Sequence, residues 1–141
     1  MDATANLLSM ADIEETFSLL DDWEERYRFV IDLGRKLPPF PETERTEANR
    51  VRGCTSKVWF ISRVTGEPPV IEFQGDSDAH IVKGLIAILF SLYSGKTAAE
   101  ILKVDAKTAL AKLGLEAHLS PMRTNGLYSM VERIRAIAAN A

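Results

Sequence analysis

One sulfur nucleophile is available to this chain. Cys54 is the single cysteine among 141 residues, and it stands in the run Arg50-Val51-Arg52-Gly53-Cys54-Thr55-Ser56-Lys57. A thiol attacks as its thiolate, so exposure and nearby charge govern what it can do. A free cysteine is more often a small buried hydrophobe than a nucleophile. Here glycine, threonine and serine make the surroundings polar and flexible, while Arg50, Arg52 and Lys57 bring positive charge. If residues 50 to 54 are extended, strand geometry puts both arginines on the side of the sulfur. Lowering a thiol from pKa ~8.5 to ~7 raises its ionised fraction at neutral pH from a few per cent to about half, for roughly 2 kcal/mol. Two or three cations can supply that, and burial opposes them.

The remaining reactive groups narrow the chemistry. One thiol cannot form an intramolecular disulfide, and with two histidines, His80 and His118, a tetrahedral zinc site would have to borrow carboxylates. An iron–sulfur cluster wants about four thiolates. A cysteine protease or acyltransferase needs a base, and neither histidine has a recognisable family spacing; a hydrogen-bonded surface imidazole is the plainer reading of each. A peroxide-reducing thiol needs a resolving cysteine or an outside reductant. A sulfur carrier asks only for one nucleophilic sulfur that a donor enzyme can reach.

The elements that must position Cys54 follow from spacing. Asp12 with Glu15 has capping-box spacing, and Ile13, Phe17 and Leu20 recur at helical intervals. Asp22 with Glu25 opens a second helix, with Trp23, Tyr27, Val30 and Ile31 on one face and Gly34 as its stop. After a proline-rich stretch, Lys57 to Val64 reads as a strand, with Trp59 and Ile61 facing the core. A turn at 65–69 leads into a second strand, Val70 to Gln74, giving an antiparallel hairpin. Val51 to Cys54 is a further short strand or a loop. Gly75, Asp76, Ser77 and Asp78 offer caps for a buried helix, Ala79 to Tyr93, in which Asp78 favours the positive end of the dipole and Gly84 allows close packing. Thr97 with Glu100, Asp105, and Ser120 with Pro121 open three more helices. The last of these carries the stripe Leu127, Met130, Val131, Ile134, Ile137 and Ala138. This order is α+β, a small antiparallel sheet packed against helices.

Length and composition set the frame. The chain reads as a single domain, 1–141, with its core at about 12–139. A hydrophobic fraction of 46% and a charged fraction of 26% are those of a folded globular chain. Lys plus Arg is 17 against Asp plus Glu 20, a net charge of −3, which argues against nucleic acid as partner. The longest uncharged apolar run, Leu85 to Phe90, is far too short for a membrane span. The opening, with Asp2, Asp12, Glu14 and Glu15, carries no basic segment of a secretory signal, so the expected location is cytoplasmic.

The run Val51-Arg52-Gly53-Cys54-Thr55-Ser56-Lys57-Val58-Trp59 resembles the Gly-Cys-x-Ser-x-Val-Trp signature of the SufE family of sulfur acceptors. Gln74 to Ala79 followed by Ile81-Val82-Lys83-Gly84-Leu85 resembles the family's second block. Leu119-Ser120-Pro121-Met122-Arg123 with Gly126-Leu127 resembles its third. The Asp22 to Tyr27 helix, Leu33-Gly34 and Leu37-Pro38 also fit, so the resemblance runs in one order over residues 12 to 139. It implies a SufE/IscU-like fold and a persulfide relay. A pyridoxal-phosphate cysteine desulfurase, SufS- or CsdA-type, passes sulfur to Cys54, which delivers it to the Suf scaffold complex for iron–sulfur cluster assembly. No cofactor or metal of its own is implied, and the resemblance leaves monomer or homodimer open. Arg52, Asp78 and Arg123 fall in or beside the matched blocks and are expected to support the cysteine loop or the desulfurase contact. Trp59 is expected in the core. Because a carried persulfide needs shielding and transfer needs access, the loop Gly53 to Ser56 is expected to dock inward, shielded by the ends of the Trp59 strand and the buried helix, and to swing outward on the partner. The alternative is an adaptor that stimulates a desulfurase by binding only; a stand-alone thiol hydrolase is a third reading.

Overall fold

The computed structural model describes residues 8–141, so Asp2 lies outside the described residues. Helices α1 (Met10–Leu19) and α2 (Trp23–Arg35) come first. The cap of α1 is Ser9, whose hydroxyl accepts the Asp12 N–H at 3.1 Å, so the helix begins ahead of the expected Asp12 cap. Asp22 caps α2 as its spacing predicts, accepting the Glu25 N–H at 2.8 Å.

The hairpin is formed by β1 (Val58–Thr65) and β2 (Val70–Ser77), paired antiparallel from Val58↔Ser77 to Thr65↔Val70. The second strand therefore runs beyond the expected Gln74, and Gly75, Asp76 and Ser77 belong to the sheet rather than to a helix cap. Val58, Phe60, Ile71 and Phe73 are the buried face. Trp59 points the other way and is half-buried, which corrects the core expectation: alternation separates two faces but does not say which one meets the helices. A strap, residues 38–49, covers that second face. Its Arg45 guanidinium pairs with the buried Asp76 carboxylate at 2.5 Å and lies 5.5 Å over the Trp59 ring. Lys83 approaches the same carboxylate at 3.5 Å.

Helix α3 (His80–Tyr93) is buried along most of its length. Its cap residue is Ala79, without a side-chain cap, and its first turn holds no acid. The expected place of Asp78 in that turn is thus not found. Gly34 is likewise no stop, because α2 continues through it to Arg35. What requires glycine there is contact: a Cβ on Gly34 would stand 2.6 Å from the Gly84 nitrogen, and one on Gly84 would overlap the Val30 carbonyl. The two helices cross backbone to backbone, as expected of Gly84.

Helices α4 (Ala98–Lys103), α5 (Ala106–Leu113) and α6 (Pro121–Ala139) complete the fold. Thr97 and Glu100 form the expected capping box, Asp105 caps α5, and Ser120 caps α6. Leu127, Met130, Val131, Ile134 and Ala138 of α6 are buried, and Arg135 donates to the Leu102 carbonyl at 3.1 Å. Among the described residues the architecture is α+β, six helices and a two-stranded antiparallel sheet. No helix among them is long and apolar enough to cross a membrane.

Candidate functional site

Residues 51–57 form a loop whose two ends are pinned side by side. An antiparallel bridge joins Arg50 to Trp59, and the Val51 N–H donates to the Val58 carbonyl at 2.8 Å. At the far end the Lys57 N–H donates to Asp78 Oδ1 at 3.0 Å, while the Asp78 N–H donates to the Lys57 carbonyl at 3.3 Å. Asp78 therefore serves the loop directly, hooking its exit to the start of α3. Between these anchors Gly53 turns with φ +86°, and a Cβ there would collide with the Ser129 hydroxyl of α6. Only glycine combines that backbone with that closeness.

The turn tips Cys54 inward. The thiol is half-buried, and Sγ lies 3.5 Å from the Gly126 carbonyl, to which it donates. It lines a small, mostly apolar, half-enclosed pocket whose walls include Val82 and Leu85 from α3 and Met122, Leu127 and Met130 from α6. Shielding thus comes from α6 and α3, and the Trp59 strand expected to help takes no part. Nothing in the spacing of α6 ties it to residue 54; the buried stripe was visible in sequence, but its partner was not.

Electrostatics follow from this placement. Burial pushes the Cys54 thiol above its ordinary value, with the Arg50 guanidinium working in the opposite direction as the lesser effect. The expectation of a thiolate-favouring cluster fails for the docked loop because desolvation of the anion outweighs the cation. Arg52 is not gathered at the sulfur: residues 52–56 turn rather than extend, and its exposed side chain pairs with Glu47 at 2.9 Å. It lines a separate open groove with Asn125, Tyr128, Ser129 and Glu132. There Tyr128 donates a short hydrogen bond to Glu116, and burial together with that carboxylate pushes its hydroxyl up to about 12. Arg123 does reach the thiol pocket and donates to the Tyr27 hydroxyl at 3.3 Å. Neither histidine lines that pocket. His80 begins α3, exposed, and His118 stacks on Trp23 with ring centres 3.7 Å apart. Among the described residues no group of three or more His, Cys, Asp or Glu side chains could hold a metal ion.

A half-buried, hydrogen-bonded thiol at the tip of a pinned loop, above an apolar pocket, defines a class of α+β protein built around one guarded sulfur. The family model for SufE, described as an Fe-S metabolism associated domain, matches residues 11–138. The chain belongs to the SufE family, and its role lies in iron–sulfur metabolism. It is 49% identical over 134 residues to an uncharacterised SufE-like protein of Rhizobium meliloti (strain 1021), covering 94% of this chain and 96% of that one. A second such SufE-like protein, from Rhizobium etli, is 51% identical over 131 residues, covering 92% and 88%. The solution structure of a hypothetical protein from Thermus thermophilus shares the fold with a TM-score of 0.75 at 24% identity, covering 94% of each chain.

Proposed function

We propose that the protein is a sulfur acceptor, taking persulfide sulfur onto Cys54 from a pyridoxal-phosphate cysteine desulfurase of the SufS or CsdA type and passing it to the Suf scaffold. The observation that carries this reading is the half-buried Cys54 thiol on a loop fixed at both ends, with its Sγ facing an apolar pocket. In the transfer step the Cys54 thiolate attacks the outer sulfur of the donor persulfide. A new S–S bond forms at Cys54, the donor's S–S bond breaks, and the donor cysteine leaves as thiolate while the outer sulfur keeps its proton. One S–S bond replaces another, so no oxidant or reductant is consumed.

Docked, the loop keeps the sulfur as a hydrogen-bonded thiol and lays it against Leu127, Met130 and Leu85, which narrow the access of water and small oxidants. Attack needs the anion, and the anion is disfavoured there, so the reactive form is one in which the loop has left the pocket. The tip gives up the weak S–H···O contact, the apolar contacts and the packing of Gly53 on Ser129, while the anchors at Val51 and Lys57 stay made. Arg52, exposed on the loop, and Arg123, beside Met122 in the pocket lining, support the contact with the desulfurase; Asp78 holds the loop exit.

Intact mass after incubation with desulfurase, cysteine and pyridoxal phosphate tests this. The expected product carries one added sulfur, about 32 Da by the exchange chemistry, mapped to Cys54 and absent without the enzyme. Cys54→Ser should abolish both this adduct and the stimulation of sulfide release. A Cys54→Ser protein that still stimulates is an adaptor, and the carrier reading then fails.

A further inference from the structure

Among the described residues the large apolar side chains that stand exposed are Leu19, Tyr27, Val64, Leu102 and Met122. Scattered singly, such residues are ordinary surface. Met122 is not ordinary in this sense: it is 61% exposed and also lines the small pocket that holds Cys54, which none of the others does. The next residue, Arg123, lines that pocket too and donates to the hydroxyl of Tyr27, so an aromatic ring on α2 continues the rim that Met122 begins on α6. Helical side chains lean toward the N-terminus of their helix, and two positions into α6 that direction leads off the helix end. Core packing does not account for a methionine there. Met130, two turns on along the same face, is 1% exposed and serves the core, while Met122 is left in solvent. Methionine, tyrosine and arginine are also the side chains enriched at protein interfaces relative to the rest of the surface.

We propose that Met122 is the anchor by which the desulfurase docks, entering an apolar socket on the donor's surface, with Tyr27 and Arg123 beside it in the contact. This rests on the donor role given to the desulfurase above. The occupant follows from the position of the sulfur. A protein that hands a sulfur atom to Cys54 has to bring its own cysteine to the open side of this pocket, and in doing so it covers the pocket's rim, where Met122 stands. Docking takes the exposed side chain out of water, and its three rotatable bonds let it fit a socket of irregular shape. Leu19, 74% exposed at the end of α1 and outside the pocket lining, is the matching apolar side chain that the donor does not cover.

Calorimetric titration with a SufS-type and a CsdA-type desulfurase tests this, in the Cys54→Ser form of the full chain so that no sulfur moves during the measurement. Adding Met122→Ala should weaken binding about tenfold or more, the loss typical of a central anchor. Met122→Leu, of similar volume, should stay within about threefold of its parent. Leu19→Ala should stay within about twofold, as a side chain outside the contact. Binding of Met122→Ala within about twofold of its parent, or an equal loss with Leu19→Ala, overturns the proposal. Should Met122→Ala prove to be unfolded, the methionine methyl resonances of the unsubstituted protein decide. That of Met122 should shift when desulfurase is added and that of Met10, on α1, should stay still; a Met122 methyl that ignores the desulfurase overturns the proposal. The carrier role fails by other signs. A Cys54→Ser protein that still stimulates sulfide release sinks that role, while a weakened Met122→Ala leaves the anchor standing. A parent that binds neither desulfurase removes both.

Discussion

Helix α3 is gripped on two sides by different means. Against α2 it meets backbone, because Gly34 and Gly84 bring the two main chains together with no room for one methyl group. Against α6 and the cysteine loop it meets the long side chains Met122, Leu127 and Met130 around a small pocket. One contact permits no variation in shape; the other is adaptable, since methionine has three rotatable bonds and fills irregular space. A protein that must hold a sulfur atom and release it needs the second kind of surface, and it needs the first kind close by so that the rest of α3 stays still.

Breaking the tight side should cost most. Gly84→Ala places a Cβ against the Val30 carbonyl and should destabilise by about 3 kcal/mol or more, at or above the upper end of ordinary overpacking, read from urea unfolding. A neutral result would mean that α2 and α3 can separate, and the contrast would be lost. Truncating the adaptable side by Met130→Ala should cost about 2 kcal/mol, the low end for a buried methionine because its wall already borders open space. It should also speed Cys54 alkylation, whereas Gly34→Ala, on the far side, should not.

The hook should be worth less. Asp78→Ala removes one charge-assisted hydrogen bond to the Lys57 N–H and should cost about 1 kcal/mol, given its exposure, again with faster alkylation. The docked thiol sharpens the comparison through pH. Burial raises its folded pKa, so its contribution to stability is fully present below the unfolded thiol value near ~8.5 and is lost as pH rises through the folded one. Urea unfolding at about pH 7 and about pH 10, on either side of that value, should therefore show a loss in the parent that is smaller in Cys54→Ser. Smallest of all, Arg52→Gln breaks an ion pair exposed on both sides and should change stability by less than about 0.5 kcal/mol.

The local grammar of the chain was readable where a residue answers only to its neighbours. Asp22, Thr97, Asp105 and Ser120 cap the helices that their spacing announced, because capping is settled within a single turn of chain. Reading failed where a distant partner decides. Gly34 resembles a helix stop until Gly84 is seen against it, and Trp59 resembles core until Arg45 is seen to cover it. Asp78 resembles a dipole acid until the Lys57 N–H claims it. The sulfur itself could be picked out by its polar flank and its motif, yet the Gly126 carbonyl that accepts its hydrogen bond lies 72 positions onward, and no local pattern points there.

Trp59 carries a consequence for watching the molecule at work. Its indole lies beneath the Arg45 guanidinium, five positions past Cys54, and the chain's one other tryptophan, Trp23, is stacked on His118. Replacing Trp23 by phenylalanine leaves a single tryptophan, positioned where the strap, the loop base and the first strand meet. A flap that swings about fixed hinges leaves its emission dark to the event, whereas one that drags the strap along changes colour and intensity as the cation slides off the ring.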